Sequence, residues 1–130
     1  MDITLYVNAK CIGSIGSFEY ELIAWGNNRA LKIERNTGGS HATSVYLMYI
    51  VAIRQALDLI TRPCAINVIL PFGLVTQTVS DWINGTGTPS ANHINRALSG
   101  LRKTIAQKGV ILQFEHRTDV LGVTKPIMAN

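Results

Sequence analysis

Asp2-Ile3-Thr4-Leu5-Tyr6-Val7-Asn8 opens the chain with apolar and polar residues in alternation, the period of a half-buried strand. Phe18 to Trp25 alternates again. Phe18, Tyr20, Leu22 and Ala24 face one way, and Glu19, Glu21, Ile23 and Trp25 face the other. The stretch between, Asn8 to Ser17, carries Gly13 and Gly16 among small polar residues. It reads as an unusually long loop joining two antiparallel strands. Asn8 stands where the first strand runs out, a common place for chemistry, so its identity matters. Gly26-Asn27-Asn28-Arg29 suits a turn, because Gly and Asn tolerate positive φ. Ala30 to Glu34 then supplies a third strand, and the three make an antiparallel meander.

Beyond the meander, Arg35 to His41 reads as a loop. A helix follows from Thr43 or Ser44 to Ile60, either hydroxyl being a suitable cap. Tyr46, Ile50, Ile53, Leu57 and Ile60 form its apolar stripe. Val45 to Ile53 holds no charge, so this helix is expected to pack on several sides, within the domain or against a partner. Thr61-Arg62-Pro63 ends it. Ala65 to Leu70 is β-branched and apolar, as a central strand is, and its place after a long helix suggests parallel pairing with an earlier strand. Leu74 to Ile83 reads as a short helix, and Ala91 or Asn92 to Lys108 as a long one ended by Gly109. Val110 to His116 is a fifth strand. The expected order is β-β-β-α-β-α-α-β, an α+β or α/β arrangement in one domain over 1–117, with 118–130 as a C-terminal tail.

Composition narrows the classes. The chain has 130 residues, 47% hydrophobic and 15% charged, which argues for a packed domain over disorder. A net charge of +4 is compatible with a nucleic acid partner and too small to demand one. No stretch has the apolar length of a bilayer span, so no membrane partner is expected. Asp2 directly after Met1 speaks against a signal peptide, and two cysteines, Cys11 and Cys64, make no disulfide framework, so a cytoplasmic setting is expected. His41, His93 and His116 lack metal-site spacing, and Gly13-Ser14-Ile15-Gly16 lacks the Lys-Ser/Thr of a P-loop.

Three stretches together resemble the type I ribonuclease H family. Cys11-Ile12-Gly13-Ser14-Ile15-Gly16-Ser17-Phe18-Glu19-Tyr20-Glu21-Leu22-Ile23 is similar to the family's turn after its first strand. Tyr46-Leu47-Met48-Tyr49-Ile50-Val51-Ala52-Ile53-Arg54-Gln55-Ala56-Leu57 is similar to its central helix. Leu74 to Ile83, ending Trp82-Ile83, is similar to its second helix. The resemblance spans Asp2 to Arg117 in order. It implies a ribonuclease H-like fold: a mixed five-stranded sheet, the antiparallel meander plus two further strands, with helices packed on it. It also implies cleavage of the RNA strand of an RNA–DNA hybrid by four carboxylates holding two Mg²⁺ ions.

At the positions the resemblance assigns to those carboxylates stand Asn8, Tyr46 and Pro71, with Leu70 and Phe72 beside the last. The fourth belongs after the fifth strand, where Asp119 comes too early. Asn is a weak Mg²⁺ ligand, Tyr46 is a bulky phenol and Pro71 has no side-chain oxygen. The remaining acids show no paired spacing and read as solvated surface charge. No metal or cofactor is therefore expected, and no catalysis. The expected function is nucleic acid binding without cleavage, to hybrid, duplex or single strand. The alternative is a protein-interaction or self-association module, a homodimer included. The nucleic-acid-binding candidates are Lys10 from the basic balance and, from the resemblance, Ser14 and Thr43. Ser40 and His41 stand just ahead of a helix N-terminus, and with Arg35, Gly38 and Gly39 they form either an ordinary capped loop or a cradle for a phosphate.

Overall fold

Alternation along the first third of the chain produces three long strands: β1 (Asp2–Ile12), β2 (Ile15–Gly26) and β3 (Arg29–His41). The computed structural model describes residues 2–27, 29–41 and 44–118. β1 and β2 pair antiparallel without a break from Asp2↔Trp25 to Ile12↔Ile15. Only Gly13 and Ser14 lie between them, and Gly13 takes the left-handed φ of 62° that this tight hairpin needs. β2 and β3 pair from Ile15↔His41 to Gly26↔Arg29, with one irregularity at Ala24/Trp25.

Two expected loops are therefore strands. Asn8 to Ser17 is not a long loop, and Arg35 to His41 is the far half of β3. The tip of the first hairpin runs past the core, and β3 is the edge strand with most of its side chains exposed, so the hydrophobic pattern fades while backbone pairing persists. Ile12 and Ile15 at the tip are 72% and 67% exposed. The Gly38-Gly39 pair belongs in this ladder for steric reasons. A Cβ on Gly38 would meet the Phe18 ring at 2.5 Å, and one on Gly39 would meet the Gly16 carbonyl oxygen at 2.5 Å.

The rest alternates helix and strand: α1 (Val45–Leu57), β4 (Ala65–Leu70), α2 (Gly73–Asn84), α3 (Asn92–Lys108) and β5 (Ile111–His116). Ser44 caps α1, its Oγ accepting from the Tyr46 amide at 3.2 Å. The helix ends at Leu57, short of Ile60. The amides of Asp58, Leu59 and Ile60 bond three residues back, a tightened final turn. Gly85 and Gly109 end α2 and α3 with φ of 81° and 64°. β4 pairs parallel with β1, and β5 parallel with β4, in the sheet order β3-β2-β1-β4-β5. This is a mixed five-stranded sheet with the helices packed on it, as the sequence predicts.

Leu5, Val7, Phe18, Tyr20 and Leu22 face Met48, Tyr49, Ile53 and Leu57 of α1 in the main core. The uncharged span of α1 is spent on this packing, since Met48, Tyr49, Ile50, Ala52 and Ile53 are all buried. The opposite sheet face holds a second small cluster of Tyr6, Ile23 and Ile69 with Trp25 against it. Among the described residues no helix is long and apolar enough to cross a membrane.

Ile53→Ala should lower the urea-unfolding free energy by about 2–5 kcal/mol, since Ile53 is fully buried in the main core. Leu74→Ala, at a position 75% exposed, should change it by less than about 0.5 kcal/mol.

Candidate functional site

The parallel pairing of β1 with β4 fixes what meets at the strand ends. Tyr6 is level with Ile69, so the same register carried two residues on brings Asn8 level with Pro71, where β4 stops. Alternation sends Leu5, Val7 and Ala9 toward the helices, and puts Tyr6, Asn8 and Lys10 on the other face. Tyr46 lies in the first turn of α1, half-buried, its ring packed at 5.2 Å and 57° against that of Trp82 near the end of α2. Pro71 is buried, and Phe72 beside it is 48% exposed.

β5 closes the same end. The Arg117 amide donates to the Leu70 carbonyl at 2.9 Å, and His116 Nε2 lies 3.2 Å from the Pro71 carbonyl oxygen. The Arg117 guanidinium sits 6.0 Å from the Tyr6 ring centroid, and its Nε is 3.2 Å from Glu115 Oε2. Next to Asn8, a depression of about 670 Å³ is lined by Lys10, Ser17, Glu19 and Thr37, among others.

Glu21 corrects the expectation that every acid is solvated. Its side chain is wholly buried on the face opposite the helices, level with Tyr6. Arg35 Nε approaches Oε2 at 3.2 Å, close enough for an ion pair but without hydrogen-bond alignment, and neither carboxylate oxygen has a hydrogen-bond partner. Burial pushes the Glu21 pKa up, against the pull of Arg35. The signal was present in the sequence, since Glu21 shares its face with Ile23 and Trp25. Tyr49 is a second sealed polar group. Its hydroxyl lies near the Ala9 backbone short of good geometry, and burial pushes its pKa up to about 12.

The nucleic-acid-binding candidates do not converge on one cradle. Lys10 is exposed on β1 opposite Ser17, and Ser14 is at the hairpin tip. Arg35 is held by Glu21, about four residues, or roughly 13 Å, along the ladder from the row of Lys10. Ser40 and His41 belong to β3, paired with Gly16 and Ile15, so the expected phosphate loop ahead of α1 does not form. The Ser44 hydroxyl already takes one of the free α1 amides. Thr43 and Asp119 lie outside the described residues.

The sheet order, with a central helix buried on the meander, defines the ribonuclease H-like fold. Comparison with known proteins agrees. The chain is 29% identical over 86 residues to a ribonuclease H of Cupriavidus metallidurans, covering 65% of this chain and 56% of that protein. It is 28% identical over 83 residues to ribonuclease HI of Caulobacter vibrioides, covering 64% and 54%. It thus spans about half the length of the curated relatives it matches. Among solved structures, LC11-RNase H1 in complex with an RNA/DNA hybrid superposes with a TM-score of 0.69 at 11% identity, covering 92% of this chain and 89% of that one. No family model matches the chain. The chain thus has the RNase H-like fold and is similar in sequence, over just under two thirds of its length, to ribonucleases H.

The donor chemistry at the strand ends does not fit the carboxylate-held Mg²⁺ pair that the resemblance implies. An amide, a phenol packed on an indole and a proline occupy the three positions. Glu19 is level with Asn8, but Glu21 beyond it is tied to Arg35. Among the described residues no three His, Cys, Asp or Glu side chains come together.

The raised Glu21 pKa has a definite sign in stability. The folded state holds the proton to higher pH than the unfolded chain, so this group's contribution falls as pH rises from the ordinary carboxylate range through the raised value. Urea midpoints measured from about pH 4 to pH 7 should decline for this reason in the wild type. The decline should be shallower in Glu21→Gln, and an identical pH profile in the two proteins would contradict the assignment.

Proposed function

We propose that this chain is an RNase H-like protein that binds nucleic acid without cleaving it. The observation that carries the reading is the replacement at the strand ends: Asn8, Tyr46 and Pro71 where the fold's chemistry calls for carboxylates, with the Tyr46 ring packed on Trp82. Hybrid cleavage by this fold needs hard anionic oxygens to hold Mg²⁺. An amide, a phenol and a pyrrolidine ring supply none.

Binding needs much less. Phosphate contacts from Lys and Arg release condensed counterions, and that term alone supports sequence-independent affinity. The net charge of +4 and the likeness to a protein solved with an RNA/DNA hybrid favour this reading. The self-association alternative loses its main support, because the apolar span of α1 is buried inside the chain.

A labelled RNA–DNA hybrid should bind at low salt, with log K falling linearly in log salt concentration. The strand should stay intact through incubation with Mg²⁺ or Mn²⁺. Cleavage that EDTA abolishes would overturn the reading, as would absence of any binding at low salt.

A further inference from the structure

The formal charge of this protein is unevenly spread over its two layers. The five strands carry Asp2, Glu19, Glu21, Glu34 and Glu115 against Lys10, Arg29, Lys32 and Arg35, a slight acidic excess. α1 and α3 carry Arg54, Arg96, Arg102, Lys103 and Lys108 and not one Asp or Glu. The remaining charges in loops, α2 and the C-terminal segment cancel to zero, so the excess of +4 is a property of the α1–α3 layer. From this we infer that the nucleic acid backbone docks on the outer face of α1 and α3, away from the strand ends where the fold would place a substrate.

Geometry joins three of these cations into one stripe. On α3, Arg96, Gly100 and Lys103 are four and three residues apart and share a face, opposite the buried Ile94, Leu98 and Leu101. Arg54 of α1 reaches that same point. Its Nη1 lies 2.9 Å from where a Cβ on Gly100 would be, so its guanidinium sits over α3 between Arg96 and Lys103. All three side chains are exposed, and none has an ion pair among the described residues. Asp58, one turn after Arg54, caps α1 without pairing to it.

Seven residues of helix separate Arg96 from Lys103, about 10 Å. That is near the Debye length in 0.1 M salt, so the three charges present a single field. Crowding like charges with no acid between them costs a folded protein stability, and an anionic polymer relieves it. The other two cations of the layer are engaged in the fold itself. Arg102 donates to the Trp82 carbonyl, and Lys108 Nζ to the Ile60 carbonyl at 2.7 Å. The sheet's cations are mixed with carboxylates, as Arg35 with Glu21 shows. Charge complementarity therefore selects the helical face, and selects a phosphate backbone over an acidic side-chain cluster because the stripe is linear and extends across two helices.

This inference rests on the nucleic-acid-binding reading and goes further by naming the surface. The test is fluorescence anisotropy of a labelled RNA–DNA hybrid across a salt series. The proteins compared are the full chain, a triple variant (Arg54→Gln, Arg96→Gln and Lys103→Gln) and Lys10→Gln at the strand ends. Each phosphate contact contributes about 0.9 to the slope of log K against log salt, so the triple variant should lose roughly 2 to 3 of it. Lys10→Gln should leave the slope within about 0.5 of wild type by the same measure. Arg54→Lys with Arg96→Lys, which keeps the charge, should retain the wild-type slope, and this separates loss of field from loss of packing. Wild-type binding unaffected by the triple variant but weakened by Lys10→Gln would overturn the surface assignment and leave the binding reading standing. A wild-type protein that shows no binding at low salt would overturn both.

Discussion

β1 is the constraint on which the rest depends. It is hydrogen-bonded on both sides, antiparallel to β2 and parallel to β4, and it buries Leu5 and Val7 completely under α1. Parallel pairing with β4 demands a crossover, and α1 is that crossover. Its uncharged first half then has a physical reason, because it is covered on the sheet side by β1 and β2 and on the flanks by α2 and α3. The same pairing brings Asn8, within β1, beside Pro71, where β4 stops, and so makes residues distant in sequence meet there.

What meets there is a neutral and largely packed set. Asn8 is level with Pro71, Tyr46 leans on Trp82, and the end of β5 seals the far side through His116 and Arg117. The scaffold for chemistry is kept, and the proposed role is attachment. The core itself is built by Leu5 and Val7 of β1, Met48 and Ile53 of α1 and Ile66 and Val68 of β4, with Tyr46 packed at its margin and Asn8 outside it.

Much of this architecture was legible in the amino-acid sequence, for reasons that differ by element. The helices carried clear stripes, such as Ile94, Leu98 and Leu101, and Gly109 marked an end. β4 announced itself as a continuous β-branched run. The far halves of the hairpins were missed because pattern reading detects burial: Ile12 to Ile15 form an exposed hairpin tip, and Arg35 to Gly39 lie mostly exposed on the edge strand β3 although they pair with the buried stretch of β2. The phosphate loop of Arg35 to His41 failed with them. Glu21 was misread because the face opposite the helices was assumed to be wet. The Arg54–Arg96–Lys103 stripe was hidden for another reason: it depends on α1 and α3 lying side by side at Gly100, which no one-dimensional pattern encodes.

Charge segregation and the residues at the end of β4 support one proposed account: a slightly acidic sheet, a cationic helical layer, and nucleic acid held without cleavage. Mapping backbone amide shifts on addition of an RNA–DNA hybrid in Mg²⁺ tests this most directly. The account predicts salt-sensitive shifts centred on Arg54 and on Arg96 to Lys103, with Asn8 and Tyr46 unmoved and the hybrid intact. Shifts centred on Asn8, Tyr46 and Phe72, with the RNA strand cut, would contradict it.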